Sequence, residues 1–472
     1  MAEGLWGVDE LVKAARGELI GTPRGAFTGV SIDSRSVGDN EIFVAIKGDR
    51  MDGHDFAAAA LAAGAGIAIV SRVDDAMRAA GALLVVDDPL AALTRMAQAA
   101  RARSVAKIVG VTGSVGKTGT KEALKLALSG SRLTHASAAS FNNHWGVPLS
   151  LARLPRDAAF AVFEIGMNHA GEIRPLVKLV QPHVAIITTI TPSHLGNFDS
   201  LDGIAAAKAE IFEGVVEGGA VLLNRDNEYF GWLSDRARKL GIGRVYGFGR
   251  DAAADVRLDK VALHEDCSCL SAHVFGEPLN VKLGAPGEHV ALNSLAVLGA
   301  VQLMGADLAL GALALSRLEP PKGRGVRHKL KARGGVFSVV DESYNANPAS
   351  MKAALALLAR VSTGKAGRRI AVLGDMLELG SQGPELHAGL AKTIDEFGID
   401  TVYAAGPLMR HLWDALAAGR RGVYAASAAQ LAESLINDVQ AGDAVMIKGS
   451  LGSRMGPLVE ALRTQFPQAE EG

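Results

Sequence analysis

The chain has 472 residues, 49% of them hydrophobic and 21% charged, and its 49 Lys and Arg against 50 Asp and Glu leave a net charge of −1. That length exceeds a single core and predicts about three domains. So balanced a charge offers no broad basic surface and no acidic tail, so nucleic acid is not an expected partner.

The opening stretch, MAEGLWGVDE, has neither a basic patch nor an apolar core of signal-peptide length, and the apolar runs 158–167 and 184–190 are too short to cross a bilayer. A cytoplasmic protein without membrane insertion is expected. The first hundred residues alternate strand-like segments (FTGVSI, EIFVAIKG, GIAIVS, ALLVVDD) with alanine-rich helical ones at 55–63 and 89–103. They predict a small α/β domain over 1–104. A second unit, 105–318, opens at Lys107 and continues through strands at 158–165, 184–190 and 219–223, each followed by a helix or turn, so its sheet is mostly parallel. From 244 to 283 strands follow one another without helices, which predicts an antiparallel flap, and a helix is expected at 288–304. Cys267 and Cys269 lie within that flap, too close together to bridge without strain, as in a reducing compartment. LEPPKGRGVRHK at 318–329 reads as a basic hinge. The strands with polar or glycine-rich tips beyond it predict a third unit, 319–472, with a Rossmann-like doubly wound sheet.

The chemistry is concentrated at strand ends. Residues 107–118 read KIVGVTGSVGKT, an apolar run falling into a glycine-rich turn ahead of a helix. Glycines there let backbone N–H groups converge on phosphate oxygens, the helix start adds its positive end, Lys117 supplies a point charge, and the Thr118 hydroxyl suits Mg²⁺. The strict GxxxxGK[ST] spacing asks for glycine where Val111 stands, so the match is confined to Thr112, Gly113, Ser114, Val115, Gly116, Lys117 and Thr118. Strand 158–165 is apolar except for Glu164, delivered to the sheet edge where a metal would lie. Strand 184–190 delivers His194 to the same rim. A helix at 200–214 places Lys208 on the face shared by Ile204, Ile211 and Phe212, which should pack inward. A lysine so buried must find a partner, lose its proton or be modified, for example by carbamylation; snorkelling to solvent is an equal reading.

TGSVGKT, FNNHWGVP at 141–148, EIGMNHAGEI at 164–173, TPSHLGNF at 191–198, AKAEIF at 207–212, GEHVALNSLA at 287–296, DESYNANPASM at 341–351, VLGDMLELG at 372–380 and KGS at 448–450 together resemble the Mur ligases, in the family's order and over essentially the whole chain. DESYNANPASM and GDMLELG, with SIDSR at 31–35 and FVAIKGDRMDGHDF at 43–56, most resemble the branch that adds D-alanyl-D-alanine to a UDP-N-acetylmuramoyl-tripeptide. The resemblance implies an ATP-dependent ligase of peptidoglycan precursor synthesis that works through an acyl phosphate; a monomer is the default expectation. It implies Lys117, Lys208 and His194 in catalysis, and ATP held by residues 112–118 with His289, Asn293, Arg324 and Asp341. It implies two Mg²⁺ sites drawing on Thr118, Glu164, His194 and carbamylated Lys208. Substrate contacts are implied for Ser34 and Arg35 at the uridine end, and for Lys47, Asn142, Asn143, Tyr344, Asn345, Asn347 and Lys448.

The sequence departs from the family pattern at Val290, where asparagine is common, and after Ser450, where LGSRM replaces an RSAxM-like tail. Three substrate-sized domains imply closure about the 318–329 hinge, and an open arrangement is expected without substrates. The diaminopimelate- or lysine-adding ligases, folylpolyglutamate synthetase and a P-loop ATPase without ligase activity are the alternatives. The first usually carries DNPR, absent here, and the second has no need of a domain bearing SIDSR. The third leaves Lys208 and two domains unexplained. Whether the third peptide residue is diaminopimelate or lysine stays open.

Overall fold

Runs of β-branched residues separated by alanine-rich amphipathic helices fold here into three sheets, each with its own core. The computed structural model describes residues 4–48, 50–138, 140–193 and 195–469. The N-terminal sheet has five strands in the spatial order Glu18–Ile20, Leu83–Val85, Ile67–Val70, Ile42–Val44, Val30–Ser31, antiparallel only at its first pair. The helix Pro89–Arg103 covers it and leads into the next domain, with Asp88 capping its start through Leu90 N and Ala91 N.

The central sheet has nine strands. Its parallel part runs Thr134–Ala136, Phe160–Glu164, Lys107–Thr112, Val184–Ile187, Ala220–Asn224, Arg244–Gly249, and the helices Lys117–Ser129 and Glu288–Leu303 pack on one face. The expected flap, Val256–Leu263, Ser268–Val274 and Glu277–Leu283, is no separate layer. Val256–Leu263 pairs parallel with Arg244–Gly249 and the two later strands add antiparallel, so the flap extends the same sheet. The reason is a shared core: Leu258, Leu270 and Val281 bury against the same Glu288–Leu303 helix that covers Leu222.

The third sheet has six strands in the order Val326–Ala332, Gly335–Glu342, Ala444–Lys448, Arg369–Gly374, Thr401–Ala405, Arg421–Ala425. All but the first pair are parallel, and cores lie on both faces. Its first strand begins inside the stretch expected to be a hinge, which shortens the irregular connection to 318–325.

The N-terminal and central domains share a core at the helix Gly146–Ala152, whose Leu149 and Ala152 pack with Trp6 and Met96. Trp6 Nε1 donates to Ala152 O at 2.8 Å, and Arg153 Nε to Val30 O at 2.6 Å. The central and C-terminal domains face each other closely instead of standing apart. Gly196 N donates to Glu378 O at 2.8 Å, and Glu265 takes a hydrogen bond from Ser362 Oγ at 2.6 Å and an ion pair from Arg327 at 3.4 Å.

Candidate active site

The phosphate loop is held from behind. Gly113 and Gly116 have φ of 149° and 87°, and a Cβ at either would run into a neighbour, Thr188 Oγ1 at the first and the Asn293 amide at the second. Thr188 Oγ1 donates to Val115 O at 2.5 Å, and Ser114 Oγ donates to Thr191 O at 2.8 Å, so the end of Val184–Ile187 braces the turn. Thr188 was not among the expected site residues; its one signal was the polar run TTITPS at a strand end. Lys117 opens the helix Lys117–Ser129 and folds back, its Nζ donating to Gly113 O at 2.7 Å. Thr118 is buried, and its Oγ1 has no hydrogen-bond partner among the described residues.

Next to this loop lies a buried, unevenly satisfied cluster. Glu164 is 1% exposed at the end of Phe160–Glu164; Oε1 accepts from Asn142 Nδ2 at 2.7 Å, while Oε2 has no partner among the described residues. Lys208 is 2% exposed on the helix Leu201–Ala209, on the inward face with Ile204, as the spacing predicts. It makes no hydrogen bond or ion pair with any described residue. Burial, and then the positive charge of Lys117, push its pKa well below the ordinary lysine value. Lys117 is itself lowered by burial, against the pull of Glu164 and with the push of Arg324. These charge interactions put Lys117, Glu164 and Lys208 in one neighbourhood. His194 lies outside the described residues.

Among the described residues no three of His, Cys, Asp and Glu cluster as a metal site. A divalent cation here would draw instead on the open oxygens of Thr118 and Glu164. Buried acceptor oxygens without partners fit a hard cation.

The strand tips of the C-terminal domain cover this rim. A cavity of about 290 Å³ is lined by Lys117, His289 and Asn293 from the central domain, and by Arg324, Asn345 and Lys448 from beyond the linker. Enclosure lowers the His289 pKa. Asn347 lines it as well, but its side chain caps the helix Pro348–Leu358 in a box with Ser350. Lys448, 1% exposed, donates to Glu342 Oε2 at 3.1 Å and Asn345 O at 2.9 Å. Glu342, also not expected, is thus the counter-ion of Lys448; its signal was a second acid beside Asp341 at a strand tip. Asp341 and Tyr344 line an adjoining cavity of about 1300 Å³ that also reaches Thr118. Asp341 Oδ1 accepts from Ser343 Oγ at 2.6 Å, and the Arg324 guanidinium lies 4.5 Å from the centre of the Tyr344 ring.

The expected substrate residues of the N-terminal domain lie apart, lining neither cavity. Arg35 is exposed and grips Asp33, which holds the Asp33 carboxyl down to about 2. Ser34 is half-buried, and Lys47 is exposed beside Gly48, where a Cβ would come 3.1 Å from the Trp145 ring. That contact brings the N-terminal loop to the 141–146 turn. There Asn143 Oδ1 accepts from Gly146 N, the first residue of the next helix, at 2.9 Å, close to Asn142.

Three segments match known families: residues 26–101 the Mur ligase family catalytic domain, 111–301 the Mur ligase middle domain, and 327–451 the Mur ligase glutamate ligase domain. UDP-N-acetylmuramoyl-tripeptide--D-alanyl-D-alanine ligase of Escherichia coli (strain K12) is 33% identical over 458 residues, which are 97% of this chain and 98% of that protein. A crystal structure of MurF from Acinetobacter baumannii superposes with a TM-score of 0.83 at 30% identity, covering 97% of this chain and 99% of the other. MurF ligase of Thermotoga maritima in complex with ADP superposes with a TM-score of 0.76 at 26% identity, covering 93% and 97%.

Proposed function

This chain belongs to the Mur ligase family, among its D-alanyl-D-alanine-adding ligases, and on that premise we propose that it joins D-alanyl-D-alanine to UDP-N-acetylmuramoyl-tripeptide at the expense of ATP. We read 1–104 as the holder of the UDP end through Ser34, Arg35 and Lys47. Residues 105–318 hold ATP, and 319–472 present the dipeptide. The observation that carries the reading is Lys208, a buried amine without a partner among the described residues, beside the lysine of a phosphate loop.

A carboxylate resists attack by an amine because its charge and resonance oppose it and oxide is a poor leaving group. Transfer of the ATP γ-phosphoryl to the substrate carboxylate gives an acyl phosphate; the dipeptide amine then adds to its carbonyl and phosphate departs. Two anions must first approach each other. Lys117 and the loop N–H groups from Gly113 to Thr118 supply positive potential, and a bound divalent cation would add charge neutralisation and template the phosphates. Thr118 and Glu164 hold that cation in our reading, with His194 and Lys208 at a second position. Lys208 is suited to carbamylation because burial lowers its pKa and so favours the unprotonated amine: that amine adds to carbon dioxide, loses a proton and becomes an anionic oxygen donor. Asn293 and His289 are assigned to the adenine side, Arg324 and Asp341 to the ribose and phosphates, and Lys448, Tyr344, Asn345 and Asn347 to the side where the dipeptide enters. Asn142 orients Glu164, and Asn143 shapes the same turn.

The closed seam between the domains suits this chemistry, since water reaching an acyl phosphate would hydrolyse it. Among the described residues no helix is long and apolar enough to cross a membrane. We place the enzyme in the cytoplasm, as a monomer, where its nucleotide substrates are. Phosphate release that requires both UDP-tripeptide and D-alanyl-D-alanine, with the ligated product seen by mass spectrometry, is the expected result. Hydrolysis of ATP at the same rate without either substrate would overturn the reading.

A further inference from the structure

Lys121 belongs to none of the steps above, yet it is 0% exposed. It lies one helical turn beyond Lys117 on Lys117–Ser129 and lines neither cavity. A buried ammonium loses its hydration, and a hydrocarbon side chain would fill the same space without that loss. The charge is therefore explained by what it holds. Its Nζ donates to Ser137 O at 2.8 Å and pairs with Glu122 Oε1 at 2.6 Å.

Ser137 is the informative partner. It follows the edge strand Thr134–Ala136, which runs parallel to Phe160–Glu164, and its N–H donates to Val162 O at 3.1 Å. Its Oγ accepts from Glu164 N at 3.3 Å. The chain leaving Ser137 returns at Asn142, whose Nδ2 occupies Glu164 Oε1 and whose carbonyl accepts from Gly166 N at 2.8 Å. One side chain on the phosphate-loop helix thus fastens the segment that grips Glu164 on both sides, by its backbone and by one carboxylate oxygen. The oxygens left open are Thr118 Oγ1, three residues before Lys121, and Glu164 Oε2.

We propose that Lys121 is a positioning residue that sets the spacing between Thr118 and Glu164, and through it the affinity of the nucleotide complex for its divalent cation. This rests on the reading of Thr118 and Glu164 as the cation's oxygen donors. The probe is Mn²⁺ titrated into the protein–ADP complex, with free Mn²⁺ followed by electron paramagnetic resonance. Lys121→Met is expected to weaken Mn²⁺ binding about tenfold, the usual scale for a group that orients a ligand, while metal-free ADP binding stays within about twofold. A Lys121→Met protein that binds ADP and holds Mn²⁺ as tightly as the wild type overturns the proposal. Should that variant not fold, Ser137→Ala decides in its place. It removes the oxygen that accepts from Glu164 N, and an unchanged Mn²⁺ affinity there is equally fatal.

Glu164→Gln separates the proposal from its premise. It should weaken Mn²⁺ binding by itself, and adding Lys121→Met to it should cost less than about twofold more, because both act through one carboxylate. Fully additive losses would show that Lys121 acts elsewhere. A Glu164→Gln protein with intact Mn²⁺ affinity would remove the premise, and the proposal with it.

Discussion

Lys208 and Lys448 are both buried lysines at the rim of the same interdomain site, and they are treated in opposite ways. Lys448 is matched by Glu342 and the Asn345 carbonyl, so its charge is answered within its own domain. Lys208 has no hydrogen-bond or ion-pair partner among the described residues, and burial together with the charge of Lys117 pushes its pKa well below the ordinary lysine value. A paired buried lysine organises a strand tip, whereas an unpaired one is available for chemistry. The contrast separates architecture from reactivity among groups of the same type.

The largest test of that contrast is Lys208→Ala. Activity should fall on the order of 10³-fold, the scale of losing a preorganised electrostatic group, without loss of folded protein in thermal melts. Partial recovery by formate or acetate would identify the missing anionic oxygen, and full activity without Lys208 would end the comparison. Lys448→Met should do the reverse in kind. It strands Glu342 and should cost about 3 kcal/mol of stability in urea unfolding; a variant as stable as the wild type would show that the pair holds nothing.

The third test uses pH. Lys208 has a lower pKa folded than unfolded, so between the two the unfolded chain binds one proton more, and stability rises with pH up to about 10.4, the free lysine value. In buffer free of carbon dioxide the wild type should therefore gain, relative to Lys208→Met, about 1.4 kcal/mol per pH unit inside that window. Parallel curves for the two proteins would mean that Lys208 is charged in the fold. The smallest effect is expected far from both lysines. Arg35→Ala should leave the Tm unchanged, since Arg35 is exposed and grips only Asp33, while the KM for the UDP substrate rises about tenfold. An unchanged KM would remove Arg35 from the site.

Much of this arrangement could be read from the chain, because it is local. The apolar run before TGSVGKT, the lone acid ending Phe160–Glu164 and the helical spacing around Lys208 each need only a few consecutive residues to interpret. What escaped depends on partners distant in sequence. Lys121 looks like any solvated helix lysine until Ser137 is brought over it, Glu342 until Lys448 arrives on the adjacent strand, and Thr188 until it closes behind Gly113. Val326–Ala332 was hidden in the expected hinge because it is an edge strand. Lys329 and Lys331 are exposed, only Leu330 is buried, and the prolines and glycines just before the strand dominate the local pattern.

The bond between Gly196 N and Glu378 O joins the loop after His194 to the C-terminal domain through main chain alone. Side-chain drift on either loop leaves it intact, whereas proline at 196 would delete its donor. On the reading proposed above, nucleotide and dipeptide would each add contacts across the same gap. Linkage then requires that either one raise the affinity for the other by the same factor, and that their departure be coupled as well.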